Sequence, residues 1–229
     1  LYYFGGDGAL LKNTKFKYNY IDFYANNAGE LSLENKINAY IISTGKVHAN
    51  IETQIWQGYP TDSSMEYRYG KPEGVVVHET ANYNDSISGE INYAMNHYNS
   101  AFVHSYVDDS RIINVANTDL KCWGSGGGGN ARFVQFEQVE VHSADSFASE
   151  VNNAAYYTAY LLNKYGLGVQ TEQNGSGTIW SHHNVSQNLV DTDHTDPDGY
   201  WTTNANSFFG TGYNMATFTE LVEYYYVQF

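Results

Sequence analysis

Imidazoles and carboxylates crowd one short segment of the chain. In SHHNVSQNLVDTDHTDPDGYW, residues 181–201, His182, His183, His194, Asp193, Asp196 and Asp198 stand within a few residues of one another. Neutral imidazole and carboxylate are donors for a divalent metal, and a catalytic zinc commonly takes three of them and leaves a fourth position open. The Asp196-Pro197 pair adds a constraint, because the residue before a proline is pushed out of the helical region and its side chain is then placed by backbone sterics. A His/Asp segment of this kind is equally a solvated loop, so a site requires partners from elsewhere in the chain.

Two such partners stand upstream. Val75, Val76 and Val77 form a β-branched run of the kind found in a strand buried on both faces, and His78 follows at its carboxyl end, where open α/β sheets carry their sites. RFVQFEQVEV, residues 132–141, is a strand by composition, and its alternation puts Glu137 on the face of Phe133, Val139 and Val141. A carboxylate among apolar neighbours has its charged form destabilised and its pKa raised, which is how a general base is tuned. Glu140 falls on the opposite face and reads as solvent-facing.

The elements that must carry these groups follow from periodicity and caps. Lys36 to Ser43 reads as a short helix with Ile37, Tyr40 and Ile41 on one side, followed by an irregular tract through Gly70. Ser88 is placed to cap a helix bearing Ile91, Ala94, Met95 and Tyr98, and residues 102–107 and 111–116 form a hairpin. CWGSGGGGNAR, residues 122–132, reads as a flexible loop; it lacks the Lys-Ser/Thr of a phosphate loop, so nucleotide binding is not supported. A long helix starts at Asp145 or Ser146 and stops at Gly166, a last strand over Ser176 to Trp180 delivers His182, and Asn214 caps a terminal helix. Strands interleaved with helices predict an α/β fold, a central mixed β-sheet flanked by helices, with the site at the strand ends in a surface groove.

Residues 1–34 differ from the rest. YYFGGDGALLKN and DFYANNAGELSLEN share an aromatic pair, a glycine turn and a Leu-rich exit, and place Gly8 and Gly29 in equivalent positions. They read as two hairpins or a linker, with residues 35–229 as the domain that carries the site; the hairpins resemble the aromatic repeats that anchor Gram-positive surface enzymes to wall polymers, which implies a wall-binding remnant over residues 1–34. The single cysteine, Cys122, rules out an internal disulfide and a cysteine-based zinc site. A net charge of −14 argues against nucleic acid and anionic membrane as partners. No apolar run approaches the ~20 residues of a membrane span and no signal peptide is visible, so a processed chain or an excised fragment is expected.

HETAN after a buried strand, FVHSYVD, RFVQFE and WSHHNVSQNLVDTDHTDPDGY, in that order, resemble the zinc-dependent N-acetylmuramoyl-L-alanine amidase domains of Gram-positive bifunctional autolysins. This is the type-2 amidase family, related to phage-lysozyme-type amidases and peptidoglycan recognition proteins, and the resemblance runs from about Lys36 to the C-terminus. It implies Zn²⁺ on His78, His182 and Asp196, with His183 a neighbour, Glu137 as the catalytic base and His194 assisting. It also implies cleavage of the amide between the lactyl group of N-acetylmuramic acid and L-alanine, by a secreted, monomeric protein acting on peptidoglycan in the cell wall. A Tyr found near the middle hairpin in some relatives is missing, since Val103 and His104 stand there. The competing expectations are a peptidoglycan-binding protein that does not cut, and a wall adhesin working through the N-terminal hairpins.

Overall fold

The computed structural model describes residues 2–18, 21–190 and 192–229. Leu1, Asn19 and Tyr20 of the aromatic N-terminal stretch, and Asp191 of the His/Asp segment, lie outside the described residues.

The chain enters through a tight turn in which Phe4 bridges Leu10. It then forms an antiparallel sheet of β1 (Thr14–Tyr18), β2 (Ile21–Ala25) and β3 (Leu31–Leu33). Gly8 and Gly29 both have positive φ, 79° and 83°, the left-handed conformation a tight turn asks of glycine. Alternation turns Phe16, Phe23 and Leu33 to one face, where Phe16 stacks on Phe23 at 5.7 Å. Phe23 and Leu33 are buried in the same hydrophobic core as Ile37, Ile41, Leu221 and Val222. Leu33→Ala is therefore expected to destabilise the whole protein by about 2–5 kcal/mol, the range for a buried leucine truncated to leave a cavity. Denaturant unfolding followed on the metal-free protein measures it.

Helix α1 (Lys36–Ser43) has the predicted limits, with the Asn35 side chain accepting from the Ile37 and Asn38 amides. The tract expected to be irregular contributes β4 (Ile51–Thr53), a strand too short to show a period, held by pairing with Ile112–Asn114 and by Ile51 packed against the core. After a turn of 3₁₀ helix at Ser63–Met65 come β5 (Gly74–Glu79) and α2 (Ile87–Asn96). The cap of α2 is Ser86, whose side chain accepts from the Gly89 amide, not Ser88, and the helix ends before Tyr98. The predicted hairpin forms as β6 (Ser105–Val107) and β7 (Ile112–Asn114).

The glycine run is a short helix, α3 (Gly126–Asn130), rather than a flexible loop. A Cβ on Gly129 would lie 2.3 Å from Ser125 Oγ and 3.1 Å from a Val185 methyl, so close packing is what calls for glycine there. Next come β8 (Phe133–Gln138) and α4 (Ala144–Lys164), whose cap Ser143 moves the predicted start up by one or two residues. The chain finishes with β9 (Ile179–Ser181), α5 (His182–Leu189), α6 (Asp198–Phe209) and α7 (Met215–Tyr226), the last capped by Asn214 as predicted.

Among the described residues the larger sheet has the order β4-β7-β6-β8-β5-β9. Strands β6, β8, β5 and β9 run parallel, while β7 is antiparallel to β6. This is the expected central mixed sheet flanked by helices. Val75, Val77, Val134 and Phe136 belong to the core that includes Val151, Ala155 and Leu162 of α4. Val76, Phe133, Trp180 and Val185 form a separate apolar cluster. The Val75–Val77 run is thus buried on both faces, and this fixes the strand that ends in His78.

Candidate metal centre

Strand pairing sets the first half of the site. His78 on β5 lies in register with Glu137 on β8, and Glu137 in turn with Tyr106 on β6, so the three residues stand side by side across the sheet. The second half comes from the strand-to-helix turn after β9. Ser181 caps α5 in a reciprocal capping box with Asn184, so His182 and His183 open a helix instead of lying in the loop expected from composition.

That turn separates the two histidines. His182 is buried with its Nδ1 3.0 Å from His78 Nδ1 and 3.1 Å from Asp196 Oδ1. His78 Nδ1 is 3.4 Å from Asp196 Oδ2. His183 points elsewhere, with Nδ1 2.6 Å from Asp198 Oδ2 and Nε2 3.0 Å from the Gln187 amide. Asp196 also accepts from the Glu79 amide at 3.2 Å, and its bond to Pro197 is cis.

His78, His182 and Asp196 form the metal-type cluster found among the described residues. Zinc bonds of 2.0–2.1 Å in a tetrahedron require donor atoms about 3.3 Å apart. The two imidazole nitrogens lie 3.0 Å apart, and they approach different oxygens of Asp196, His182 at 3.1 Å from Oδ1 and His78 at 3.4 Å from Oδ2, spacings of that order, so the donor set fits a zinc ion by geometry and by chemistry. Burial opposes ionising Asp196, but the adjoining His182 and His78 rings outweigh it and hold the carboxyl well below the usual range. Burial likewise pushes the His182 pKa down, keeping the ring neutral as a ligand must be. Thr192 Oγ1 lies 3.1 Å from His182 Nε2, an arrangement that suits a ring with its proton on Nε2 and the Nδ1 lone pair turned inward.

Glu137 and His194 face the same cavity of about 340 Å³. Burial, then the charges of Asp196 and Glu90, push the Glu137 pKa well above the ordinary carboxylate range. Its Oε2 is enclosed without a hydrogen-bond partner among the described residues, the state of a group awaiting a proton or a water. His194 is 62% exposed, stacks on the His182 ring at 4.4 Å and places Nδ1 3.6 Å from Asp196 Oδ1. Glu140 does not line this cavity. It stands instead near Glu79, whose carboxyl is pushed up to about 8 by burial first and by the neighbouring Glu140 carboxyl second.

Comparison with known proteins fits this geometry. The Amidase_2 family, described as N-acetylmuramoyl-L-alanine amidase, matches residues 68–199, a span that contains all five residues singled out. The chain belongs to this amidase family. It is 47% identical over 189 residues to Protein Ami of Listeria monocytogenes, which covers 81% of this chain and 20% of Ami. It is 44% identical over 173 residues to a bifunctional autolysin of Staphylococcus aureus, covering 73% of this chain and 13% of that protein. The chain thus spans a fifth or less of the length of these relatives. The crystal structure of the Staphylococcus aureus hydrolase AmiA with its ligand superposes with a TM-score of 0.79 at 40% identity, covering 85% of this chain and 92% of AmiA.

Two residues escaped the sequence reading of this amidase chain. Tyr106 lines the cavity beside Glu137, although no Tyr was expected from the hairpin. Its place is set by the β6–β8 register, which local patterning does not show. His104, offered in its stead, is fully buried and structural, with Nδ1 accepting from the Gln135 amide at 3.0 Å and Nε2 2.7 Å from the Leu120 carbonyl oxygen. Thr192 is the second, a polar loop residue whose role appears only once the chain folds back over His182.

Proposed function

We propose that the protein is a zinc-dependent amidase that hydrolyses the bond between the lactyl group of N-acetylmuramic acid and L-alanine of the stem peptide. The observation that carries this reading is the cluster of buried His78 and His182 with Asp196, beside a Glu137 whose Oε2 has no partner among the described residues, in one open cavity. His78, His182 and Asp196 would hold the ion. Zinc held there supplies Lewis acidity, polarising a carbonyl and acidifying water. Glu137 accepts the proton of the water that attacks the lactyl carbonyl and passes it to the departing alanine amine. His194, exposed at the rim, donates toward the developing oxyanion, an interaction of ~3–4 kcal/mol for a well-placed donor.

In the same reading the protein acts outside the cell membrane, on peptidoglycan, as a monomer. The N-terminal sheet contributes stability through Phe23 and Leu33, while Tyr2 and Phe4 present exposed rings toward wall polymer. Digestion of purified peptidoglycan followed by mass spectrometry tests the bond assignment. Free stem peptides beginning with an L-alanine amine, with glycan that keeps its lactyl groups, are the expected products. New reducing ends would identify a glycosidase instead, and binding without release would favour the non-cutting alternative.

A further inference from the structure

Asp196 sits in an exposed stretch, since Asp193, His194 and Thr195 all face solvent. Packing within that loop cannot hold the carboxylate to the sub-ångström tolerance that a metal site needs. Its place therefore comes from the Glu79 amide of β5, which donates to the carboxylate at 3.2 Å, together with the anchored ends of the stretch. On the α5 side the anchors are the His183 amide on the Asp196 carbonyl oxygen at 3.2 Å and the Thr192–His182 contact.

The anchor on the α6 side is a buried amide. Gln138 is fully enclosed, one residue beyond Glu137 on β8. Its Oε1 accepts from Trp201 Nε1 at 3.2 Å, and its Nε2 donates to the carbonyl oxygen of His78 at 3.3 Å. An indole N–H only donates and a carbonyl only accepts, so the amide has one usable orientation and both of its ends are occupied. Trp201 is also buried, and its own amide donates to the Pro197 carbonyl oxygen at 3.0 Å, next to Asp196. A short path of hydrogen bonds thus runs from His78 through Gln138 and Trp201 to the residue after Asp196. A second tie stands beside it: the Tyr200 hydroxyl accepts from the Val141 amide at 3.1 Å and donates to buried Glu150 at 2.5 Å, fixing the same helical turn.

We infer that Gln138 is a positioning residue for the metal centre, setting the distance between the His78 strand and the Asp196 loop through Trp201. The inference rests on the zinc reading given above. Gln138 is not among the donors and does not line the cavity, so its effect is on affinity for the ion. Gln138→Met keeps length and volume but removes donor and acceptor, and Trp201→Phe removes the other end of the same link.

Zinc dissociation constants are measured for the full chain by competition with a chromophoric chelator, and melting temperatures are taken with excess EDTA. Each single variant is expected to bind zinc about 10–100-fold more weakly, the usual cost of losing a supporting hydrogen bond around a metal. The double variant is expected to lose no more than the worse single one, because both remove one link. Variants that melt lower but bind zinc as tightly as the parent would overturn the inference while leaving the zinc reading intact. A parent that binds no zinc would overturn both. Should Gln138→Met fail to fold, Trp201→Phe alone decides between the same outcomes.

Discussion

Glu137→Ala is expected to keep zinc and lose at least ~10²-fold in cleavage rate, the lower end of what a positioned general base contributes. The two effects separate because Glu137 is outside the donor cluster yet lines the same cavity. Its loss removes the proton acceptor and leaves His78, His182 and Asp196 in place. Removing a buried carboxyl that burial already disfavours also predicts no loss of stability, in contrast to a variant that merely damages the fold. One zinc determination and one rate on the same preparation check it. Full activity would move the base elsewhere; Glu140 is a poor successor, because it does not line the cavity. Lost zinc would place Glu137 among the ligands or their supports.

His182→Ala, by contrast, is expected to lose the ion and fall at least ~10³-fold in activity, since Lewis-acid stabilisation is worth several kcal/mol at 1.36 kcal/mol per decade. Asp196→Ala and exhaustive chelation should do the same, and added Zn²⁺ should restore only the chelated parent. His183→Ala is the internal control. Its ring bonds Asp198 and Gln187 at the partly exposed start of α5, an interaction worth at most about 1 kcal/mol, so zinc and most activity should remain. Zinc lost from His183→Ala and kept by His182→Ala would show that the ligand is the other histidine.

Much of this site could be read before the fold was seen, and the divide follows physical lines. The Val75–Val77 run announces a strand buried on both faces, so the position of His78 at its end follows from three residues. Glu137 is legible because a carboxylate interrupts an alternating apolar face. What stays hidden depends on partners far along the chain. Helix α5 carries few apolar residues beyond Val185 and Leu189, and its capping box rests on an Asn rather than the usual Glu or Gln, so a helix there looks like a solvated loop. The glycines of α3 suggest freedom, whereas Gly129 answers to the closeness of Ser125 and Val185. Convergence of His78, His182 and Asp196 is legible only through resemblance, since no local pattern states which side chains meet across more than a hundred residues.

The β5–β8 register separates what can vary around this cavity from what cannot. Paired strands lie about 4.8 Å apart whatever side chains they bear. The interval between His78 and Glu137 is therefore written into backbone pairing and is insensitive to repacking nearby. The cavity is also lined by Tyr93, His97 and Ala101, exposed residues on α2 and the segment after it. Exchanging those three alters what the cavity admits without shifting His78 relative to Glu137, so variation of the cavity rim and preservation of that spacing fall on separate parts of the chain.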